Sequence, residues 1–253
     1  MFYTHHYQIR WHDTDANREV RPSRLLMYMQ ETANNQLQSR GMPLDVLRDE
    51  HGLAFILSRI SVDVKKPLYA YDEIDVDTWV NDGKGFSFNR YFRVRRGGEI
   101  VAEASTVWAL VSLSDRRLLR TDEFCVPAPV DDPLQTSLPR RVRFPRMEEM
   151  QAIGERTVRY SDIDYNGHMN NTNYPDMLCD FLPDVLDKRV TGYALSYLHE
   201  GTFGHTLRIL YAEGEGGELL RTVDADGTVC LEAFVRTERR AGEKTEQTEM
   251  SEK

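Results

Sequence analysis

The chain has 253 residues, 40% hydrophobic and 29% charged, with a formal net charge of -9. This is the balance of a globular chain long enough for one large or two small domains, with no apolar run near the roughly 18 residues of a membrane span. Its acidity disfavours general nucleic-acid binding, which requires a basic face.

The opening residues, Met1-Phe2-Tyr3-Thr4-His5-His6, carry no basic start and no apolar stretch. They do not read as a signal peptide, so a cytoplasmic address is expected. Cys125, Cys179 and Cys230 are odd in number and irregularly spaced. That pattern argues against a disulfide framework and a zinc site, and leaves partly buried free thiols as the expectation. Residues 1–126 hold 17 Lys+Arg against 18 Asp+Glu, and residues 127–253 hold 15 against 23, so most of the negative charge lies in the second half.

The chain enters through alternating, strand-like sequence. A helix is then expected over 23–40, with Ser23 as N-cap after Pro22. Leu25, Leu26, Met29, Ala33 and Leu37 recur at helical spacing, and Gly41 and Pro43 end the run. Strands are expected over 53–64, 73–80, 86–94 and 100–113, separated by turn signals at Asp82-Gly83 and Gly97-Gly98. Five prolines between Pro127 and Pro145 mark a surface linker. Residues 156–161 read as a strand, and a short helix near 173–182 stops before Pro183. Further strands are expected over 191–198, 206–211, 218–223 and 228–236, with a hairpin signal at Asp226-Gly227.

The pattern repeats. Ile9-Arg10-Trp11-His12-Asp13-Thr14-Asp15-Ala16-Asn17 aligns with Val158-Arg159-Tyr160-Ser161-Asp162-Ile163-Asp164-Tyr165-Asn166, at an offset of 149. Val62-Asp63-Val64 and Ile74-Asp75-Val76 align more weakly with Leu195-Ser196-Tyr197 and Leu207-Arg208-Ile209, at an offset of 133. One helix followed by antiparallel strands, twice over, is an α+β pattern in which each sheet has only its helix to cover it. This predicts a tandem double hot-dog. The expected domains are 1–126, a linker at 127–150, a second domain at 151–238 and a polar tail at 239–253.

Chemistry concentrates in the second copy. Asp162-Ile163-Asp164-Tyr165-Asn166-Gly167-His168-Met169-Asn170-Asn171 lies between a strand and a helix, on a loop held by rigid elements. His168 exchanges protons near neutral pH, Asn166 can orient a carbonyl or a water, and Asp164 can fix either. The N–H groups of the following helix are candidate oxyanion donors. The same residues also suit a plain turn and helix cap. They occupy positions 1, 3, 5 and 6 of a calcium loop as well, but position 12 is Asn173 rather than Glu, and a strand precedes the loop. The first copy is an internal control, with Glu19 in place of His168 and Pro67 in place of Glu200. Glu200 is a candidate water-activating carboxylate or a solvated strand end.

Several ordered blocks resemble the acyl-ACP thioesterase family. They are Met29-Gln30-Glu31-Thr32-Ala33, Tyr71-Asp72-Glu73-Ile74-Asp75-Val76-Asp77-Thr78-Trp79-Val80, Ser105-Thr106-Val107-Trp108, Arg116-Arg117-Leu118, residues 161–171, and Leu195-Ser196-Tyr197-Leu198-His199-Glu200. The resemblance implies hydrolysis of fatty acyl-ACP, with the acyl chain held by the first domain. It implies catalysis by Asp164, Asn166, His168 and Glu200, and neither metal nor cofactor. It makes acyl carrier protein the partner of a monomer or homodimer. Where the family's older proposal has a nucleophilic cysteine, this chain has Gly201. That departure points to direct hydrolysis and leaves open whether Asp164 attacks or only orients.

Three rivals are an acyl-CoA thioesterase, a hot-dog dehydratase and a non-catalytic acyl-binding protein. The dehydratase motif, Asp-x-Asn-x-x-His, is one residue longer than the spacing here. No DNA-binding pattern accompanies the sensor reading. Arg140, Arg141, Arg143 and Arg146 form a basic linker that either docks acidic carrier protein or is merely solvated.

Overall fold

The computed structural model describes residues 2–81, 83–124 and 129–240. Strand β1 (Tyr3–Gln8) leads to helix α1 (Pro22–Ser39) and a short helix α2 (Leu44–Asp49). Strands β2 (Leu53–Val64), β3 (Glu73–Val80), β4 (Phe88–Arg96), β5 (Glu99–Ser112) and β6 (Leu118–Leu119) complete the first half. The second half has β7 (Gln151–Thr157), helix α3 (Tyr174–Cys179), β8 (Lys188–Tyr197), β9 (Thr206–Gly214), β10 (Gly217–Val223) and β11 (Val229–Arg239).

The strands form one antiparallel sheet, in the order β1-β3-β4-β5-β2-β8-β11-β10-β9-β7, with β6 beside β5. The halves meet where β2 pairs with β8. There Ser61 faces Ala194, and Arg59 and Asp63 face Ser196 and Gly192. Residue 61 plus 133 is 194, so a residue pairs with its own repeat mate and a pseudo-twofold axis passes through that point.

Helix α1 lies along the inner face of the first half. Pro22 suits the first helical position, because it has no N–H to waste and its φ is already helical. Ser23 is not the N-cap as expected; Arg21 holds that place without a side-chain bond. Asp176 of α3 does the capping instead, accepting from the Ser23 N–H at 2.9 Å and its hydroxyl at 2.5 Å. The expected apolar face is the buried one: Leu25, Leu26, Met29, Ala33 and Leu37 are all buried, and the first four pack in one cluster with Ile60, Val76 and Phe92. Truncating a side chain as enclosed as Met29 costs about 2–5 kcal/mol.

The linker crosses the opposite, outer face. Leu138, Val142 and Phe144 pack on Ala194, Leu210 and Phe234. Gly192 permits this close approach, since a Cβ there would sit 2.9 Å from Leu138 and 3.0 Å from the Val62 carbonyl.

Other expectations shift. The strand placed at 156–161 is Gln151–Thr157, followed by a single 3-10 turn at Tyr160–Asp162. Helix α3 is shorter than 173–182, and β11 runs on to Arg239, past the boundary set at 238. Helix α2 was not anticipated. Asp82, Cys125, the start of the linker and residues 241–253 lie outside the described residues.

Candidate active site

The two loops of the repeat fold alike, atom for atom in their backbone bonds. Asp15 N–H donates to Glu19 O at 2.8 Å, and Asp164 N–H to His168 O at 2.9 Å. The Asp carboxylate accepts from the Asn N–H two residues on at 2.8 Å in both copies, Asn17 to Asp15 and Asn166 to Asp164. Each loop then docks on the strand end that the 133 offset predicts. Val20 N–H reaches Leu68 O at 2.8 Å, and Met169 N–H reaches Gly201 O at 2.7 Å. The turn demands a left-handed residue, met by Gly167 at φ 81 and, with strain, by Arg18 at φ 65.

The shared backbone therefore explains Asp and Asn in both copies as turn formers. The histidine position differs. His168 Nε2 lies 2.9 Å from Glu200 Oε2, and both side chains are part-exposed at a groove. Glu19 instead meets Arg240 Nη1 at 2.6 Å and is tied down. Asp164, Asn166, His168 and Glu200 all border one groove of about 520 Å³, with Tyr174, Tyr197 and the β2 residues Phe55 and Leu57. The repeat-mate positions Glu19, Val20, Pro22, Leu25, Val64 and Pro67 border a space of only about 30 Å³. One of two equivalent sites is open and the other is filled.

The oxyanion donors expected from the following helix are mostly spent. The Asn170 side chain accepts from Thr172 N–H at 2.9 Å, Asn173 N–H goes back to Asn170 O at 2.9 Å, and Pro175 has no N–H. The Asn166 side chain is better placed. Its Oδ1 accepts from Arg48 Nη1 at 2.5 Å, which leaves the amide N–H₂ as the free end. Arg48 also stacks 4.9 Å over the Tyr165 ring, whose hydroxyl meets Asp49 at 3.3 Å. The first half thus grips the loop of the second through α2. Arg48 escaped sequence reasoning because α2 is a six-residue helix with no long periodic pattern; Pro43 before Leu44-x-x-Leu47 was the available sign.

A second cavity, about 100 Å³, lies in the first half between α1 and the sheet, lined by Ala33, Leu37, Leu44, Phe88, Trp108 and other residues. Phe55 borders both this cavity and the groove. Burial pushes the thiol pKa of Cys179 and of Cys230 up, so neither is a ready thiolate. No group of three or more His, Cys, Asp or Glu among the described residues is arranged to hold a metal.

Residues 1–127 match the family model of the acyl-ACP thioesterase N-terminal domain, and residues 146–249 that of its C-terminal domain. The chain belongs to the acyl-ACP thioesterase family. It is 24% identical to a chloroplastic palmitoyl-acyl carrier protein thioesterase of Cuphea hookeriana, over 87% of this chain and 61% of that one. It is 23% identical to an oleoyl-acyl carrier protein thioesterase of Arabidopsis thaliana, over 73% of this chain and 55% of that one. The chain thus spans about three-fifths or less of these relatives' length. Its fold is that of the solved acyl-ACP thioesterase of Bacteroides thetaiotaomicron, with a TM-score of 0.84 at 24% identity over 94% of this chain and 98% of that one. The 12:0-ACP thioesterase of Umbellularia californica gives 0.83 at 22%, over the same shares. This family member is a double hot-dog of α+β class. None of its described helices is long and apolar enough to cross a membrane.

Proposed function

We propose that this chain hydrolyses fatty acyl-ACP to free fatty acid and carrier protein, ending chain elongation. The observation that carries the reading is the His168–Glu200 pair, 2.9 Å apart in the open groove, where the closed copy has Glu19 and Pro67. The thioester would lie in the groove with its acyl chain passing Phe55 into the apolar cavity of the first half. This assigns acyl binding to residues 1–126 and catalysis to 151–238, on either side of the 127–150 linker. Acidic carrier protein and a cytoplasmic setting complete the assignment.

In this reading Glu200, with His168, takes a proton from water as the water oxygen attacks the thioester carbon. The Asn166 amide steadies the oxyanion. His168 returns a proton to the departing thiolate as the C–S bond breaks. Asp164 holds the turn; its bond to the Asn166 N–H matches that of Asp15 in the closed copy, which supports orientation over covalent attack. The test is release of free acid by purified protein from the same acyl chain on carrier protein and on coenzyme A. Preference for acyl-ACP is expected. Equal turnover would favour an acyl-CoA thioesterase, and no turnover of either would favour an acyl-binding protein.

A further inference from the structure

Arg90 of β4 is 9% exposed and faces α1. Its Nη1 donates to Gln36 Oε1 at 2.6 Å and to Thr78 Oγ1 of β3 at 3.1 Å. Neither partner is charged. A buried cation ordinarily sits against a carboxylate, because desolvation is otherwise uncompensated. The charge that bears on Arg90 is instead a second cation, Arg40. Burial first, and then Arg40, pull its pKa down to about 10, which still leaves the guanidinium charged at neutral pH.

Arg90, Arg40 and Phe55 border the same cavity of the first half, and no Asp or Glu lines it. The Nε–Nη2 edge of Arg90 makes no hydrogen bond among the described residues, yet neither atom is one of the sealed, unpartnered atoms of the interior. The free edge therefore keeps some accessible surface, and the cavity is where it opens. It is the same edge that Arg95, further along β4, closes on Asp77, with Nε and Nη2 each 2.8 Å from a carboxylate oxygen.

The repeat supplies the control. Ile60, Thr106, Arg90 and Val80 stand side by side across β2, β5, β4 and β3. The 133 offset carries Ile60 to Tyr193 and Val80 to Glu213, and the ladder between those two runs through Val235 and Glu218. Glu218 is therefore the mate of Arg90. It is equally buried, at 9% exposed, but Lys188 Nζ meets it at 2.7 Å. The second half supplies the counter-charge from its own chain, and the first half leaves it out beside a cavity. Phe55 of β2 borders the catalytic groove, and Arg90 lies two strands further on, past β5. A chain entering from the groove meets Arg90 with its far end.

We propose that Arg90 determines specificity by binding a carboxylate at the far end of the acyl chain, so that the preferred substrate class is an acyl-ACP whose chain ends in a carboxylate. The inference rests on the hydrolase reading above and names its substrate. The carboxylate accepts from Nε and Nη2 together, while Nη1 keeps its bonds to Gln36 and Thr78. A methyl end leaves that fork buried and unpaired, the condition under which a polar site rejects a hydrocarbon analogue.

The experiment measures kcat and KM on two series of acyl-ACP: hexanoyl to hexadecanoyl, and the same chains ending in a carboxylate, adipyl to hexadecanedioyl. Both are run on the parent protein, Arg90→Met and Arg90→Lys. At one or more lengths the parent should favour the carboxylate-ended chain by about tenfold or more in kcat/KM, mainly through KM. Arg90→Met keeps the length, removes the charge and should reverse the order. Arg90→Lys keeps the charge without the fork and should retain a reduced preference. The preference is a ratio within one variant, so a smaller folded fraction does not move it. Should Arg90→Met fail to fold, the fall in that ratio from parent to Arg90→Lys carries the test, and an unchanged ratio would overturn the proposal. So would a parent that turns over the methyl-ended series equally well or better at every length, or a preference that survives in Arg90→Met; each leaves the hydrolase reading standing. No turnover of either series by the parent would sink both.

Discussion

Glu19 and His168 occupy the same place in two copies of one turn, but Glu19 is bound to Arg240 at 2.6 Å while His168 faces Glu200 at 2.9 Å across an open groove. The backbone bonds around them correspond one for one. What separates a strut from a site is therefore the side-chain partner and the space beside it.

The first prediction follows from that contrast. His168→Ala and Glu200→Ala should each lower kcat on acyl-ACP by about 10²-fold or more, the scale of losing a general acid or base. Glu19→Ala should leave kcat nearly intact and cost stability instead, because Arg240 loses its close carboxylate. A penalty of about 1–3 kcal/mol is expected for an ion-pair partner left behind in a partly buried place. A thermal melt beside each kinetic run separates the two effects. Equal kcat losses for Glu19→Ala and His168→Ala at equal stability would defeat the assignment of chemistry to the second half.

The cysteines are predicted to be dispensable. Cys230 is buried, burial pushes up the pKa of both described thiols, and Gly201 leaves no side chain at the nucleophile position. Replacing Cys125, Cys179 and Cys230 together by Ala or Ser should keep kcat within a fewfold, and the activity should withstand iodoacetamide. Some loss of melting temperature is expected, since Cys230 packs in the core. A collapsed kcat with an unchanged melt would restore a thiol mechanism.

The repeat was legible because the turn is chemically demanding. Asp, Asn and a left-handed residue are needed in both copies, so the 149 offset survives in the residues themselves. The 133 offset was fainter in sequence, yet it places Leu68 against Val20 and Gly201 against Met169. Strand interiors with strong alternation, such as β2 and β3, fell where expected. Two features were hidden for physical reasons. The cap on α1 comes from Asp176, more than 150 positions away, and no local signal encodes it. Helix α2 is too short to show a period, so Arg48 and its hold on Asn166 stayed invisible.

Acyl binding by the first half predicts a change in product length. Ala33 lies on α1 and borders the cavity of about 100 Å³. Ala33→Phe would fill that space with a ring. If the acyl chain ends there, the free acids released should shift toward shorter chains, while kcat on a short acyl-ACP stays near the parent value. The variant should fold, because the added bulk enters open space; overpacking a closed core costs about 1–3 kcal/mol and would show in the melt. An unchanged acid profile at normal stability would move the acyl site out of the first half.

The last prediction concerns where the carrier protein docks. The basic linker was one candidate, but Arg140 and Arg141 border a groove of about 700 Å³ with Arg59, Ser61, Ser196 and Glu232. Ser61, Ala194 and Ser196 point to the outer face, because Tyr193, Leu195 and Tyr197 alternate with them toward the helices. That groove shares no lining residue with the catalytic groove. Arg146 is already paired with Glu149 at 2.8 Å. Arg48, by contrast, stands at the rim of the catalytic groove. Charges beyond about 10 Å from an encounter surface are largely screened at 0.1 M salt. Reversing Arg140 and Arg141 to Glu should therefore leave KM for acyl-ACP within about twofold, the range expected when no docking charge is touched. Arg48→Gln removes the charge but keeps an amide donor for Asn166. It should raise KM for acyl-ACP, lessen its salt dependence, and spare KM for a small uncharged thioester. A KM rise from the linker variant and none from Arg48→Gln would place docking on the outer face.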